Sequence, residues 1–434
     1  TLEQYKFIKA NVLEDLNENL INLDFTVEQS EKFYVNRINI FGNTITAENV
    51  IRNQLLVDEG DPFSEILINK SINNIKILNF FKKVNSKIKN NNSTKTKEID
   101  IFVEEKPTGE IYASAGAGTS GASFGFGIKE NNFLGNGVAV DSNVLISTSQ
   151  FKGKLSVTNP NINNSDKSLY FSAEAIETDN YEAFGYKTNK TGFSIGTNFE
   201  YLNDFYLGLN SSNFYEIIET NSTASTQQQS QEGNYWDSFL NINMNYDKRN
   251  QRFQTSSGFK SFYSLNLPII SDTNTIKNYY NYSKYFSFYD QNFSSISLYL
   301  QSANSLSNKN IKLSERITIP SSRLRGFEYG RVGPKDGDDF IGGNYAYSIN
   351  FASNVPLVLE ESQNLDFLVF ADVADIWGVD YNSSIKGDGT RSSIGVALDW
   401  MSPVGPMNFT LAYPVSKQTG DKTETFRFNL GTTF

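Results

Sequence analysis

The chain has 434 residues, 14% of them aromatic and 38% hydrophobic, with a formal charge of −10; that balance excludes a basic groove and argues against a nucleic-acid partner. Cysteine and histidine are both absent, which removes disulfides, thiolate and imidazole metal sites, and Ser-His-Asp or Cys-His catalysis. No cofactor and no enzyme are expected, although carboxylate chemistry stays formally open. The mean hydropathy of −0.41 and the lack of any apolar run near about 18 residues exclude a helical membrane protein. They do not exclude a membrane barrel, whose strands alternate apolar and polar residues. Thr1 opens directly into amphipathic sequence without a signal peptide, so a mature or trimmed chain is expected.

In chain order, Lys6 to Leu13 and Leu20 to Val27 read as two strands joined by a polar turn from Glu14 to Asn19, since Ile21, Leu23, Phe25 and Val27 alternate at a period of two. Their helical partners are missing from the sequence, as if a domain had been cut. Phe33 to Phe41 is another alternating strand, closed by Gly42-Asn43. Thr46 is placed to cap a helix carrying Val50, Ile51, Leu55 and Leu56, and Ser64 to cap a second with Leu67, Ile68, Ile72, Ile75 and Leu78 on its apolar face. Phe81 to Ile88 and Glu98 to Glu104 close the unit. The order β-α-α-β-β is a small helix-on-sheet domain.

After Pro107 helical periodicity disappears. Alternating segments recur instead, among them Leu169-Phe171-Ala173-Ala175, Phe193-Ile195, Phe205-Leu207-Leu209, Ile296-Leu298-Leu300 and Phe409-Leu411, separated by Asn, Asp, Ser and Gly clusters. Roughly 325 residues at about 20 per strand and turn give about 16 strands if each spans a membrane. The expected fold is mainly β, a 16-stranded transmembrane antiparallel barrel. Tyr279, Tyr280, Tyr282, Tyr285 and Phe286 are expected near strand ends as an interfacial girdle. Thr220 to Gly233, rich in Ser, Thr and Gln, reads as a solvated disordered connector.

Three stretches carry a candidate site. Arg323-Leu324-Arg325-Gly326-Phe327 sets a cation that no accessible pH neutralises inside a glycine-rich loop; folded inward, Arg325 must meet a carboxylate or water. The last strand places Phe426, Phe428 and Leu430 on one face, followed by Gly431 as a kink and a terminal Phe434. The first barrel strand, Glu110-Ile111-Tyr112-Ala113-Ser114-Ala115-Gly116-Ala117-Gly118, is mostly small side chains with little grip on a neighbour. Closing a barrel with these two strands makes a weak seam, and an open seam is a template for another strand.

Taken in order, several motifs resemble the outer-membrane insertases with POTRA domains. They are Phe33-Tyr34-Val35 with Ile40-Phe41-Gly42-Asn43, Glu59-Gly60-Asp61-Pro62-Phe63, Asn131-Asn132-Phe133-Leu134-Gly135-Asn136-Gly137, Val157-Thr158-Asn159-Pro160, Asp247-Lys248-Arg249-Asn250, Arg325-Gly326-Phe327, Trp400-Met401-Ser402-Pro403-Val404-Gly405-Pro406 and Phe426 to Phe434. The resemblance covers nearly everything from Lys6 onward. It implies the end of one POTRA domain in residues 1–32, a last POTRA domain in residues 33–106, and the barrel in residues 107–434. It further implies a bacterial outer-membrane location with the POTRA domain in the periplasm. The expected function is insertion of nascent outer-membrane β-barrel proteins through a lateral seam, assisted by outer-membrane lipids and accessory lipoproteins such as BamD, which Glu59 would contact.

By the same resemblance the Arg325 loop folds back into the lumen, and Phe370-Ala371-Asp372 supplies its carboxylate. A second family carboxylate is replaced by Asn350, which is expected to accept one hydrogen bond from the guanidinium, leaving Arg325 mainly on Asp372. The rival expectations are a two-partner-secretion exporter using the lumen as a conduit, a passive porin, and an outer-membrane hydrolase. Residues 33–105 argue against the porin, and the missing histidine against the hydrolase.

Overall fold

The computed structural model describes residues 8–17, 20–29, 32–165, 167–252, 254–356, 364–387, 389–402 and 405–431. Lys6, Pro403, Val404 and Phe434, all singled out above, lie outside them. The chain divides into two compact units, Thr1–Glu110 with Glu130–Val140, and Ile111–Lys129 with Asp141–Phe434.

In the first unit, β1 (Ile8–Asn17) and β2 (Leu20–Gln29) pair antiparallel, from Ile8 opposite Gln29 to Asn17 opposite Leu20. The strand therefore runs on through the segment expected to turn at Glu14. Glu14 pairs with Leu23 and Leu16 with Ile21, and a charged side chain on an exposed face does not interrupt a ladder. Next come β3 (Tyr34–Phe41), α1 (Glu48–Arg52), α2 (Glu65–Ile77), β4 (Phe81–Asn91) and β5 (Thr96–Glu105). Their sheet has the order β3-β5-β4, with β5 parallel to β3 and antiparallel to β4. The apolar face of α2 buries Leu67, Ile68, Ile72 and Ile75 in one cluster with Val35, Ile38, Val84, Ile99 and Ile101. Ser64 caps this helix, its hydroxyl accepting from the Leu67 N–H at 3.4 Å.

The first helix departs from expectation. Ala47, not Thr46, stands at its N-cap without a side-chain cap, and the helix ends at Arg52, before Leu55 and Leu56. Thr46 is buried instead. Its N–H donates to Glu105 Oε1 at 2.6 Å, while the Glu105 carboxylate also accepts from the N–H and hydroxyl of Thr44 and the N–H of Ile45. One distant carboxylate thus ties down the chain just ahead of the helix. Burial raises the Glu105 pKa, but these bonds overcome it and hold the group down at about 2.

The remaining strands are β6 (Gly109–Gly118), β7 (Gly121–Phe133), β8 (Val138–Ser147), β9 (Gln150–Asn159), β10 (Ser168–Asn180), β11 (Tyr186–Leu202), β12 (Phe205–Thr220), β13 (Gly233–Asp247), β14 (Gly258–Ser271), β15 (Thr275–Phe286), β16 (Ser294–Ser305), the two-residue pair β17 (Lys335–Asp336) and β18 (Asp339–Phe340), β19 (Tyr345–Asn354), β20 (Leu365–Trp377), β21 (Arg391–Ser402), β22 (Gly405–Ser416) and β23 (Phe426–Gly431). All except the short pair close into one 16-stranded antiparallel barrel. Phe171, Phe193, Ile195, Leu209, Ile296, Leu300 and Leu411 stand exposed, as the outward parity of a membrane barrel requires.

The turn from β7 to β8 belongs to the first unit. Asn132 donates from Nδ2 to Thr46 Oγ1 at 2.9 Å and accepts from the Gly137 N–H at 2.7 Å, while the Ala47 N–H donates to the Gly135 carbonyl at 2.9 Å. Gly135 has φ +76°, and a Cβ there would fall 2.0 Å from the Ile45 carbonyl oxygen. Only glycine fits that approach.

Two barrel expectations need correction. Tyr279, Tyr280 and Tyr282 sit within β15 and not at its ends, and Tyr279 packs edge-on to buried Tyr299 with centroids 5.4 Å apart. These rings serve the side walls and the interior, because the flanking turns and not the aromatics set the strand ends. The Ser/Thr/Gln-rich loop is ordered: between β12 and β13 it holds the short helix α4 (Thr226–Gln229), which follows α3 (Tyr181–Phe184) in the chain. Ser225 and Gln228 form a reciprocal capping box, and the Gln228 amide, fully buried, donates to the Phe184 carbonyl at 3.0 Å. Polar composition alone does not reveal that the glutamine finds such a partner.

Candidate functional site

The long connection from β16 to β19 packs its centre against the inner side of β19–β22. Arg325 meets Asp372 bidentately, Nε to Oδ2 and Nη2 to Oδ1 both at 2.7 Å, and its backbone N–H adds a third bond to Oδ2 at 3.0 Å. The guanidinium also lies 3.5 Å from the Phe370 ring centroid. Gly326 follows with φ +90°, and a Cβ there would stand 3.1 Å from Ala412 Cβ. The positive φ and the close wall both select glycine. Leu324 and Phe327 are buried on the same stretch.

Asn350 does not accept from Arg325, as the sequence suggested. Asn350 and Asp372 are register partners on β19 and β20, so the Asn350 amide donates to Asp372 Oδ1 at 2.8 Å and to the Arg323 carbonyl at 2.8 Å. Its oxygen accepts from Arg323 Nη1 at 3.4 Å. Asp372 thereby collects donors from Arg325 and Asn350, and the missing second charge is replaced by a fourth hydrogen bond to the first.

Other cations of this connection escaped the sequence reading. Lys312, 2% exposed, bridges Glu216 at 2.8 Å and Asp237, from β12 and β13. Burial pulls the Lys312 pKa down, but Glu216, Glu315 and Asp237 pull it further up, so the ammonium stays charged. Arg316 pairs with Asp380 and donates to Asn344 at 3.0 Å. Beside the loop, Arg391 at the head of β21 joins Asp375 at 2.9 Å and Asp421 at 3.0 Å. The available signal was parity, since Tyr215 and Trp236 face outward and set Glu216 and Asp237 on the inward positions, where a charge needs a partner.

At the seam, β23 and β6 share three register pairs: Asn429 with Gly118, Leu430 with Ala117, and Gly431 with Gly116. The Thr119 N–H adds a bond to the Phe428 carbonyl at 3.1 Å. The described residues end at Gly431, and within them the pairing with β6 reaches back to Gly116. Gly431 has φ +75° and lies against the Ala115 carbonyl, and Phe426 pairs with Leu411 of β22. Tyr112 reaches across β7, its ring over Gly127 and its hydroxyl 3.2 Å from Asp141 of β8. Phe434 lies outside the described residues. Glu59, in the first unit, has Oε1 on the Ile38 N–H at 3.0 Å and is 46% exposed.

Residues 132–434 match the Omp85 superfamily domain, and residues 33–106 match the POTRA-type surface antigen variable number repeat. The chain belongs to the Omp85 superfamily. Among its Omp85-type relatives, the outer membrane protein assembly factor BamA of Neorickettsia risticii is 26% identical over 95% of this chain, which spans 57% of that relative's length. The crystal structure of BamA from Haemophilus ducreyi lacking POTRA domains 1–3 superposes with a TM-score of 0.85 at 25% identity, covering 100% of this chain and 91% of the other. CdiB from Acinetobacter baumannii shares the fold at a TM-score of 0.60 and 12% identity, over 99% and 80% of the two chains.

Proposed function

We propose that this Omp85 chain is the membrane core of an outer-membrane insertase, with residues 33–106 in the periplasm and the barrel opening between β6 and β23 to fold nascent β-barrel proteins into the bilayer. The observation that carries the reading is the composition of the seam. Where the described residues pair, β6 meets β23 with Gly116, Ala117 and Gly118, whose small side chains give the contact little grip. An unpaired backbone edge is costly in lipid, and an incoming strand satisfies the edge of Ile111 to Gly116 as the seam widens. No chemical step and no cofactor enter this process. The similarity to BamA supports the reading at the level of the family, and the likeness to CdiB supports only the fold.

The POTRA sheet offers one edge more openly than the other. The outer side of β3 is covered where Val35 exchanges bonds with Gly60 and Asp61, and where Glu59 and Arg52 take the Ile38 N–H and carbonyl. Extended substrate would therefore add to β4. Glu59, half-exposed at the covered edge, is the proposed contact for a lipoprotein such as BamD. Lumen anchoring by Arg325, Gly326, Phe327, Asp372 and Asn350 would keep the wall in shape while the seam moves.

The cysteine-free background gives the test. With one cysteine placed singly from Ile111 to Gly116 and another in the last strand of a substrate barrel, a disulfide should form during assembly. Cross-links confined to lumen-facing loops would point to an exporter instead.

A further inference from the structure

The tip of the internal loop touches one more element, and the contact is made by backbone. The Glu328 N–H donates to the Lys422 carbonyl at 3.1 Å, the Glu424 N–H to the Gly326 carbonyl at 3.0 Å, and the Lys422 N–H to the Arg331 carbonyl at 3.0 Å. Phe327 and Thr423 form an antiparallel bridge between the first two bonds. Arg427, on β23 itself, donates from Nε to Glu424 at 2.7 Å and from Nη2 to the Phe327 carbonyl at 3.3 Å. The segment leading into the last strand is thus paired with the loop tip.

We propose that Gly326–Arg331 forms a latch on the last strand, with Glu424 and Arg427 as its positioning residues, so that seam opening releases β6 while β23 stays with the loop. The loop end of the latch is held to the wall through Arg325 and Asp372 and cannot follow β6. On the wall side, the Ala412 N–H donates to the Thr425 carbonyl at 2.8 Å, and β23 pairs with β22 from Phe426–Leu411 to Leu430–Met407. The last strand is consequently secured on two sides at its head and on its β22 flank. The first strand faces it with glycines and alanines, and Gly118 approaches so closely that a Cβ would fall 2.6 Å from the Phe428 carbonyl oxygen. Among the described residues no long side chain of β6 bridges that approach.

This proposal rests on the insertase reading only for its consequence, and two experiments separate them. Hydrogen exchange of the full chain in lipid nanodiscs is expected to protect the Lys422 and Glu424 amides about tenfold or more over the seam amide of Thr119. Arg427→Ala should accelerate exchange at Glu424. Equal or faster exchange at Lys422 and Glu424 in the unaltered protein would overturn the latch and leave the functional reading untouched. In the second experiment Glu328→Cys/Lys422→Cys ties the latch one step beyond the Phe327–Thr423 bridge, at about 5.5 Å between Cα atoms, within disulfide reach. Ala117→Cys/Leu430→Cys ties the seam.

Oxidation of the latch pair should leave insertion of a substrate barrel within about twofold of its reduced form, while oxidation of the seam pair stops it. Loss of insertion on latch oxidation would show that β23 must leave the loop, overturning the proposal. Full insertion with the seam oxidised would instead overturn the insertase reading, with exchange still deciding the latch.

Discussion

Asp372 is fully buried, and its two oxygens receive the Arg325 side chain, the Arg325 backbone N–H and the Asn350 amide. Removing one partner of such a pair strands the other, which costs about 3–5 kcal/mol in buried settings. Asp372→Ala and Arg325→Ala should each lower barrel stability by about that amount, read by urea unfolding in detergent micelles. The double change should be no worse than additive, because either single change already removes the interaction. Wild-type stability and insertion in both single variants would sink the anchor role. The pairing of Arg325 with Asp372 was legible through resemblance, whereas the behaviour of Asn350 was not. An amide can donate or accept, and only the cross-strand register puts its nitrogen beside the carboxylate.

Elements were legible where one periodicity governed them. The α2 face and its Ser64 cap are written locally, as are the outward apolar positions of the strands. The α1 entry was misread because Thr46 is engaged elsewhere: Glu105, far along the chain, takes the Thr44, Ile45 and Thr46 N–H groups, and the Thr46 hydroxyl receives the Asn132 amide. That arrangement has a pH signature. The Glu105 pKa is depressed from its ordinary 4.5 to about 2, so its stabilising contribution is complete above the ordinary value and is lost as pH falls from there through about 2. The stability difference between the protein and its Glu105→Gln variant should be full at neutral pH and shrink through that window, measured by thermal unfolding followed at residues 33–106. A difference unchanged across the window would remove Glu105 from this role.

At the scale of the whole barrel, the wall is uneven. β6 has 10 residues, against 15 in β13 across the barrel. At about 3.3 Å per residue β6 runs a shorter course than β13, and a bilayer matched to both would thin at β6. If thinning aids insertion, acceleration of substrate folding over protein-free vesicles should grow from short-chain to long-chain phosphatidylcholine. An acceleration independent of chain length would show that strand pairing acts alone. The internal loop is pinned at separate points: Lys312 to Glu216 on β12 and Asp237 on β13, Arg316 to Asp380 after β20, and Arg325 to Asp372 on β20.

By itself the sequence determined the mainly β barrel, the helix-on-sheet domain before it, the absence of thiol and imidazole chemistry, and the small side chains of the first strand. These follow from composition and from periods of 2 and 3.6 residues, which are properties of neighbouring residues. Tertiary structure alone decided that Lys312 bridges two strands, that Asn350 serves Asp372, that the Gln-rich loop is ordered by Gln228, and that Lys422–Glu424 pairs with Gly326–Arg331. Each of these depends on which distant backbone or charge a group meets once the barrel closes, and buried polar groups take whatever partner closure brings within hydrogen-bond reach.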